Sequence, residues 1–192
     1  AEGLAAARLA GERVVVMATS TGASLATLAL ADPEMAQDVA AAVLVSPNYA
    51  VNNPLAPILT WPAARHWLPW VGGTTRSFEP LNEGHARYWT TSYPIEAVVP
   101  MAAVVRAARS ADHAAIDVPA FFWFSDLDQV VSGAATRTVA GNWGAATELR
   151  PVTPGPGDDP FAHVLAGDIL SPGLTDRAVA EITGWIRAQI AP

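Results

Sequence analysis

The chain has 192 residues, half of them apolar, with a formal net charge of −7 and no cysteine. That length and apolar content suit one globular domain with a sizeable core and exclude disorder as the ground state. The acidic balance argues against a nucleic-acid partner, and the missing cysteines remove disulfides, thiolate chemistry and Cys-based metal sites together.

In chain order, residues 3–10 carry apolar side chains at helical spacing, and Gly11 is a plausible C-cap. No basic region followed by a long apolar core precedes or overlaps them, so no signal peptide is visible and a soluble, cytoplasmic protein is expected. No apolar run reaches the ~20 residues of a membrane span. The run VVVM (14–17) reads as a strand buried on both faces of a parallel sheet. Residues 22–30 read as a helix with a wide apolar stripe. Between them lies Ala18-Thr19-Ser20-Thr21-Gly22, a serine among small residues at a strand-to-helix turn. Small flanks are expected there because the neighbours of such a serine press against the adjoining strand and helix. Ser20 would be held clear of the sheet, with the free N–H groups of the helix N-terminus behind it. The plainer reading is an N-cap serine. A second match to the same spacing, Gly22-Ala23-Ser24-Leu25-Ala26, puts its serine inside the helix, where no turn presents it.

Asp32-Pro33 breaks the helix, and AAVLVS (41–46) reads as the next buried strand. Residues 47–117 are far longer than the dozen residues a parallel crossover needs. They hold eight prolines and four of the seven tryptophans, Trp61, Trp67, Trp70 and Trp89. Residues 51–93 are expected to form an inserted lid within a single domain spanning 1–192, with 94–112, including a helix from 100 to 111, rejoining the core. Each lid tryptophan reads more readily as lid core than as a substrate contact; together they suggest an apolar acyl pocket. VPAFFWFS (118–125) is a third core strand, 132–143 a helix, and 146–152 a fourth strand. An irregular loop, TPGPGDDPF (153–161), leads to His163; Asp158 and Asp159 in it read as solvated charges. Residues 175–190 close the chain as an amphipathic helix capped by Thr175 or Asp176. Strand and helix alternate throughout, so the fold class is α/β with a parallel sheet and flanking helices.

The A-T-S-T-G turn after VVVM resembles the nucleophile elbow of the α/β-hydrolase family, usually G-x-S-x-G, with Ala18 in place of the first glycine. S-D-L-D-Q-V-V (125–131) resembles the family's acid turn, and F-A-H-V-L-A-G-D (161–168) its final histidine motif. The order Ser, Asp, His after successive strands is also the family's, at the strand ends where open α/β sheets place their sites. The resemblance covers nearly the whole chain and is nearest to lysophospholipase- and monoacylglycerol-lipase-like serine hydrolases. It implies a triad of Ser20, Asp128 and His163, Asp126 being the other candidate acid, and an oxyanion donor at the Thr21 backbone N–H. His66 and His85 fall in the lid and His113 precedes a strand, so none of them fits the histidine position. The implied reaction is hydrolysis of a carboxylic ester, with an apolar acyl chain suggested by the tryptophans. An acyltransferase, thioesterase or peptidase could use the same triad, and a non-catalytic binding or assembly module is the reading from another class.

The family places its elbow on the fifth strand, and the first strands of that sheet have no counterpart here. The chain is therefore expected to be the C-terminal portion of the fold, lacking the loop that gives the second oxyanion donor. An N-terminal half, or a second copy in a homodimer, would cover the edge of strand 14–17. No H-E-x-x-H, histidine cluster, Walker loop or G-x-G-x-x-G appears, so neither a metal nor a nucleotide cofactor is expected.

Overall fold

The computed structural model describes residues 2–191. Its elements, in chain order, are α1 (Glu2–Ala10), β1 (Val14–Thr19), α2 (Thr21–Leu30), α3 (Pro33–Ala36), β2 (Val39–Val45), α4 (Ala64–Gly72), β3 (Thr75–Ser77), α5 (Glu83–Tyr88), β4 (Ser92–Pro94), α6 (Val98–Arg109), β5 (Ala120–Phe124), α7 (Gly133–Gly141), β6 (Thr147–Pro151) and α8 (Pro172–Ile190). Short 3-10 turns at Ala56–Thr60, Ile95–Ala97 and His113–Ala115 join some of them.

The main sheet has the order β1-β2-β5-β6, and every pair is parallel. Side chains alternate across it with the period of two that a strand imposes. Ala42, Leu44, Ala120, Phe122 and Phe124 face one core, with α2, α6 and α7 packed over them. Val43, Val45, Phe121 and Trp123 face a second core under α8. The five residues of β5 are all buried, as an AFFWF run between two helical layers requires. Burying each of its large side chains contributes ~1.5–3 kcal/mol before conformational entropy is charged against it.

β1 departs from the expected two-faced burial. It lies at the edge of the sheet, pairs only with β2 among the described residues, and leaves Met17 61% exposed. Its apolar run is that of a strand with sheet on both sides, yet one hydrogen-bonding edge is open. An apolar groove of about 440 Å³, lined by Met17, Val45, Trp123, Leu165, Ile182 and Ile186 among others, flanks this edge on one face. A second of about 290 Å³, lined by Leu4, Val16, Leu25 and Ala26 among others, flanks it on the opposite face.

α8 begins at Pro172, three residues before the expected cap. A proline is at home in a helix's first turn, because its missing N–H would have no partner there. Thr175 lies inside this helix, donating its hydroxyl to the Ser171 carbonyl and accepting from the Gly167 N–H.

Residues 51–93 hold α4, the β3–β4 hairpin's first strand and α5. The entry to this segment is stitched to the turn after β5, since Val51 bridges Val131 and the Asn52 N–H donates to the Val130 carbonyl. Its tryptophans are not a segment core. Trp70 is 89% and Trp61 61% exposed, while Trp67 is half-buried with its indole N–H on the Pro62 carbonyl. A buried imidazole, His85, sits between Phe78 and Trp89 at ring separations of 5.4 and 5.1 Å.

Candidate active site

Ser20 sits between β1 and α2 with φ 53° and ψ −124°, in the left-handed half of backbone space that a non-glycine residue rarely occupies. Holding it there costs ~1–3 kcal/mol, which neighbouring hydrogen bonds offset. The Ser20 N–H donates to the Val45 carbonyl, and the Ser20 carbonyl accepts from Ala23 and Asn48. Asn48 grips the turn three ways. Besides that backbone bond, its carbonyl accepts from the Ser24 hydroxyl at 2.5 Å and its side-chain amide donates to the Thr21 hydroxyl at 3.2 Å. Ser24, the rival serine of the sequence, is fully buried inside α2. One expectation about the turn does not hold: a methyl group built on Gly22 meets nothing within 4 Å, so no close approach demands a glycine there.

The acid turn follows β5. Asp128 is buried, and its Oδ1 accepts from the N–H groups of Val130 and Val131 at 2.7 and 2.8 Å. Its Oδ2 lies 2.8 Å from His163 Nδ1. A carboxylate only accepts, so Nδ1 carries the ring hydrogen and Nε2 the lone pair. Nε2 lies 3.1 Å from the Ser20 hydroxyl, leaving it placed to accept that proton. Asp126 is committed elsewhere. Arg137 donates to both its oxygens, at 2.9 and 2.5 Å, and these bonds hold its carboxyl below the usual carboxylate range.

His163 is fixed by two groups that sequence reasoning missed or misread. Asp159, read as a solvated charge, is only 4% exposed, and its carboxylate accepts from the N–H groups of Phe161, His163 and Val164 at 2.8–3.0 Å. Asp158 likewise accepts from the Gly155 and Gly173 N–H groups rather than standing free in solvent. Ser46, fully buried at the end of β2 with φ 43°, donates its hydroxyl to the His163 carbonyl at 2.6 Å. Ala162, immediately before the histidine, is also at positive φ, 53°. Strained residues thus sit at the nucleophile turn, at the end of the neighbouring strand and in the histidine loop, where bonding from three elements over-determines the geometry.

Thr21 is the first residue of α2, so its N–H is among those at the helix N-terminus that have no intrahelical acceptor. Two of the remaining histidines serve the fold. His113 is buried with Nε2 2.8 Å from the Ala108 carbonyl, and His85 Nδ1 accepts from the Leu81 N–H. Among the described residues no group of three potential metal ligands clusters, and no helix is long and apolar enough to cross a membrane.

Geometrically the site is a hydroxyl, an imidazole and a carboxylate in one hydrogen-bonded line at the C-terminal ends of β1, β5 and β6. Such a line can deprotonate the hydroxyl as it attacks an electrophilic carbon and hold the resulting imidazolium.

No protein-family model matches the sequence, and no curated protein matches it significantly. Solved structures do match. A metagenome-derived lipolytic enzyme superposes with a TM-score of 0.72 at 12% identity, over 98% of this chain and 69% of its own. A monoglyceride lipase from Saccharomyces cerevisiae gives 0.67 at 9% identity, over 100% of this chain and 67% of that one. A carboxyl esterase from Bacillus coagulans gives 0.63 at 12% identity, over 99% and 69%. The chain therefore has the fold of α/β-hydrolase lipases and esterases over nearly its whole length, and spans about two thirds of theirs.

Proposed function

We propose that this chain is a serine hydrolase of carboxylic esters. Ser20 is the nucleophile, His163 the general base and acid, Asp128 the residue that orients and charge-balances the imidazole, and the Thr21 N–H an oxyanion donor. The observation that carries this reading is the unbroken hydrogen-bond line from Asp128 through His163 to Ser20, presented on a strained turn. In the first step Ser20 Oγ bonds to the ester carbonyl carbon while its proton passes to His163 Nε2. The tetrahedral oxyanion is met by the Thr21 N–H. Collapse breaks the carbon–alkoxy bond, the alcohol leaving with the proton from Nε2. Water, deprotonated by the same nitrogen, then releases the carboxylic acid and restores Ser20. Acyl groups with apolar chains are the substrate class, in keeping with the lipolytic and monoglyceride-lipase structures it resembles.

The test is labelling with a fluorophosphonate beside a Ser20→Ala variant, with the adduct located by mass spectrometry. Labelling at Ser20 that the variant abolishes is the expected outcome; a folded chain that never labels would overturn the reading. That second outcome favours the rival, a non-catalytic assembly module, whose supporting observation is the open edge of β1. Both readings have the β1 edge covered in use, by further strand-bearing polypeptide or a second copy of the chain.

A further inference from the structure

Acidic residues outnumber Lys and Arg eighteen to eleven, yet one stretch of surface is purely cationic. A cavity of about 590 Å³ lies between the 3-10 turn Ala56–Thr60, α4 and α6, and its lining includes Arg65, His66 and Arg106. A neighbour of about 360 Å³ shares Leu59, Thr60, Arg106 and Ser110 with it and adds Arg109. No carboxylate lines either one. Among the described residues, none of the three arginines makes an ion pair; every arginine pair in the fold uses Arg8, Arg137, Arg150 or Arg177.

Basic residues in the last turn of α6 complement the helix dipole, and that accounts for Arg106 and Arg109 alone. It does not account for Arg65 and His66 arriving from α4, nor for the absence of any counter-charge. Apart from Thr60 and Ser110 the remaining walls are apolar, with Leu59, Trp61, Val99 and Ala103 among them. The α6 residues that line the two cavities run from Val99 to Arg109, about 15 Å along the axis at the ~1.5 Å rise of a helix. The two helical arginines sit toward one end of that run and Val99 marks the other. A charged end and an apolar run match a molecule with an anionic head and a hydrocarbon tail. Guanidinium groups favour a carboxylate head because they can meet both oxygens at once.

We propose that this groove is an accessory site for a long-chain carboxylate, the head on Arg106 with Arg65 or Arg109 and the chain along α6. Ser20, Asp128 and His163 line neither cavity, so the site is separate from the candidate active site and does not rest on that assignment.

Titration calorimetry with decanoate below its micellar range tests this on the whole chain. Decanoate is no ester, so the measurement does not depend on what Ser20 does. Arg106→Gln is expected to weaken binding tenfold or more. Arg187→Gln removes the same charge from α8, across the sheet, and is expected to change affinity less than twofold. Decanol should bind at least tenfold more weakly than decanoate, and acetate should not displace it. Unchanged affinity in Arg106→Gln, or decanol binding as tightly as decanoate, overturns the proposal. Acetate or inorganic phosphate binding as tightly would mean a small-anion site and overturns the amphiphile. Arg106 has no ion-pair partner among the described residues, so the melting temperature of Arg106→Gln should match the parent's; Arg65→Gln gives the same readout if it does not.

Discussion

Three backbone N–H groups converge on the carboxylate of Asp159, and one of them belongs to His163. Asp159 thus acts on the imidazole through the main chain, as a positioning residue. In Asp159→Asn one oxygen becomes an amide that cannot accept, leaving at least one buried N–H unpaired at a cost of ~1–3 kcal/mol. The expected result is a lower melting temperature together with fluorophosphonate labelling slowed about tenfold or more. A melting temperature that falls while the labelling rate holds would reduce Asp159 to a structural role. Asp128 was legible because its supporting bonds are local: Val130 and Val131 lie two and three residues along, a spacing that sequence alone displays. The bond from Ser46 to His163 was not legible, since 117 residues separate its ends and neither residue type announces it. Asp159 misled for a related reason: a carboxylate amid Gly and Pro reads as solvated until the fold wraps three amides around it.

Among elements, the buried strands were the most legible, because unbroken apolar runs such as AFFWF leave no solvent face to a sheet. β1 has the same kind of run and a different position, which composition cannot distinguish. The tryptophans of residues 51–93 read as core by size alone, whereas α4 is too short and too peripheral to bury Trp70. α5 is tied to the rest of the molecule in part through Asn82. Its side-chain Oδ1 caps the helix by accepting from the His85 N–H, and its Nδ2 donates to the Ile169 carbonyl beyond the histidine loop. Asn82→Ala removes both, and a lost cap costs ~1 kcal/mol. Hydrogen exchange of the α5 amides should accelerate about fivefold while β5 amides and the global melting temperature stay put. Acceleration throughout the sheet would mean instead that this segment folds as one unit with the core.

At the scale of the molecule the two edges of the sheet contrast. β6 carries Glu148 and Arg150, ion-paired to each other and onward to Glu181, the charged finish that keeps an edge from pairing further. β1 has no charged residue and is flanked by apolar grooves on both faces. Sedimentation velocity of the chain alone should therefore show concentration-dependent association, and Met17→Lys should shift it to monomer without lowering the melting temperature. A parent chain that stays monomeric at every concentration would count against an edge that recruits a partner. The connection between β2 and β5 has a different consequence. It is about six times the dozen residues a minimal parallel crossover needs. Loop-closure entropy grows only with the logarithm of length, so that sixfold excess costs about 1.6 kcal/mol. Because Ser20, Asp128 and His163 are all held by bonds outside residues 53–93, this segment could be exchanged for one of quite different length at a fraction of that figure. The length of this segment is thereby free to vary without disturbing the relative placement of Ser20, Asp128 and His163.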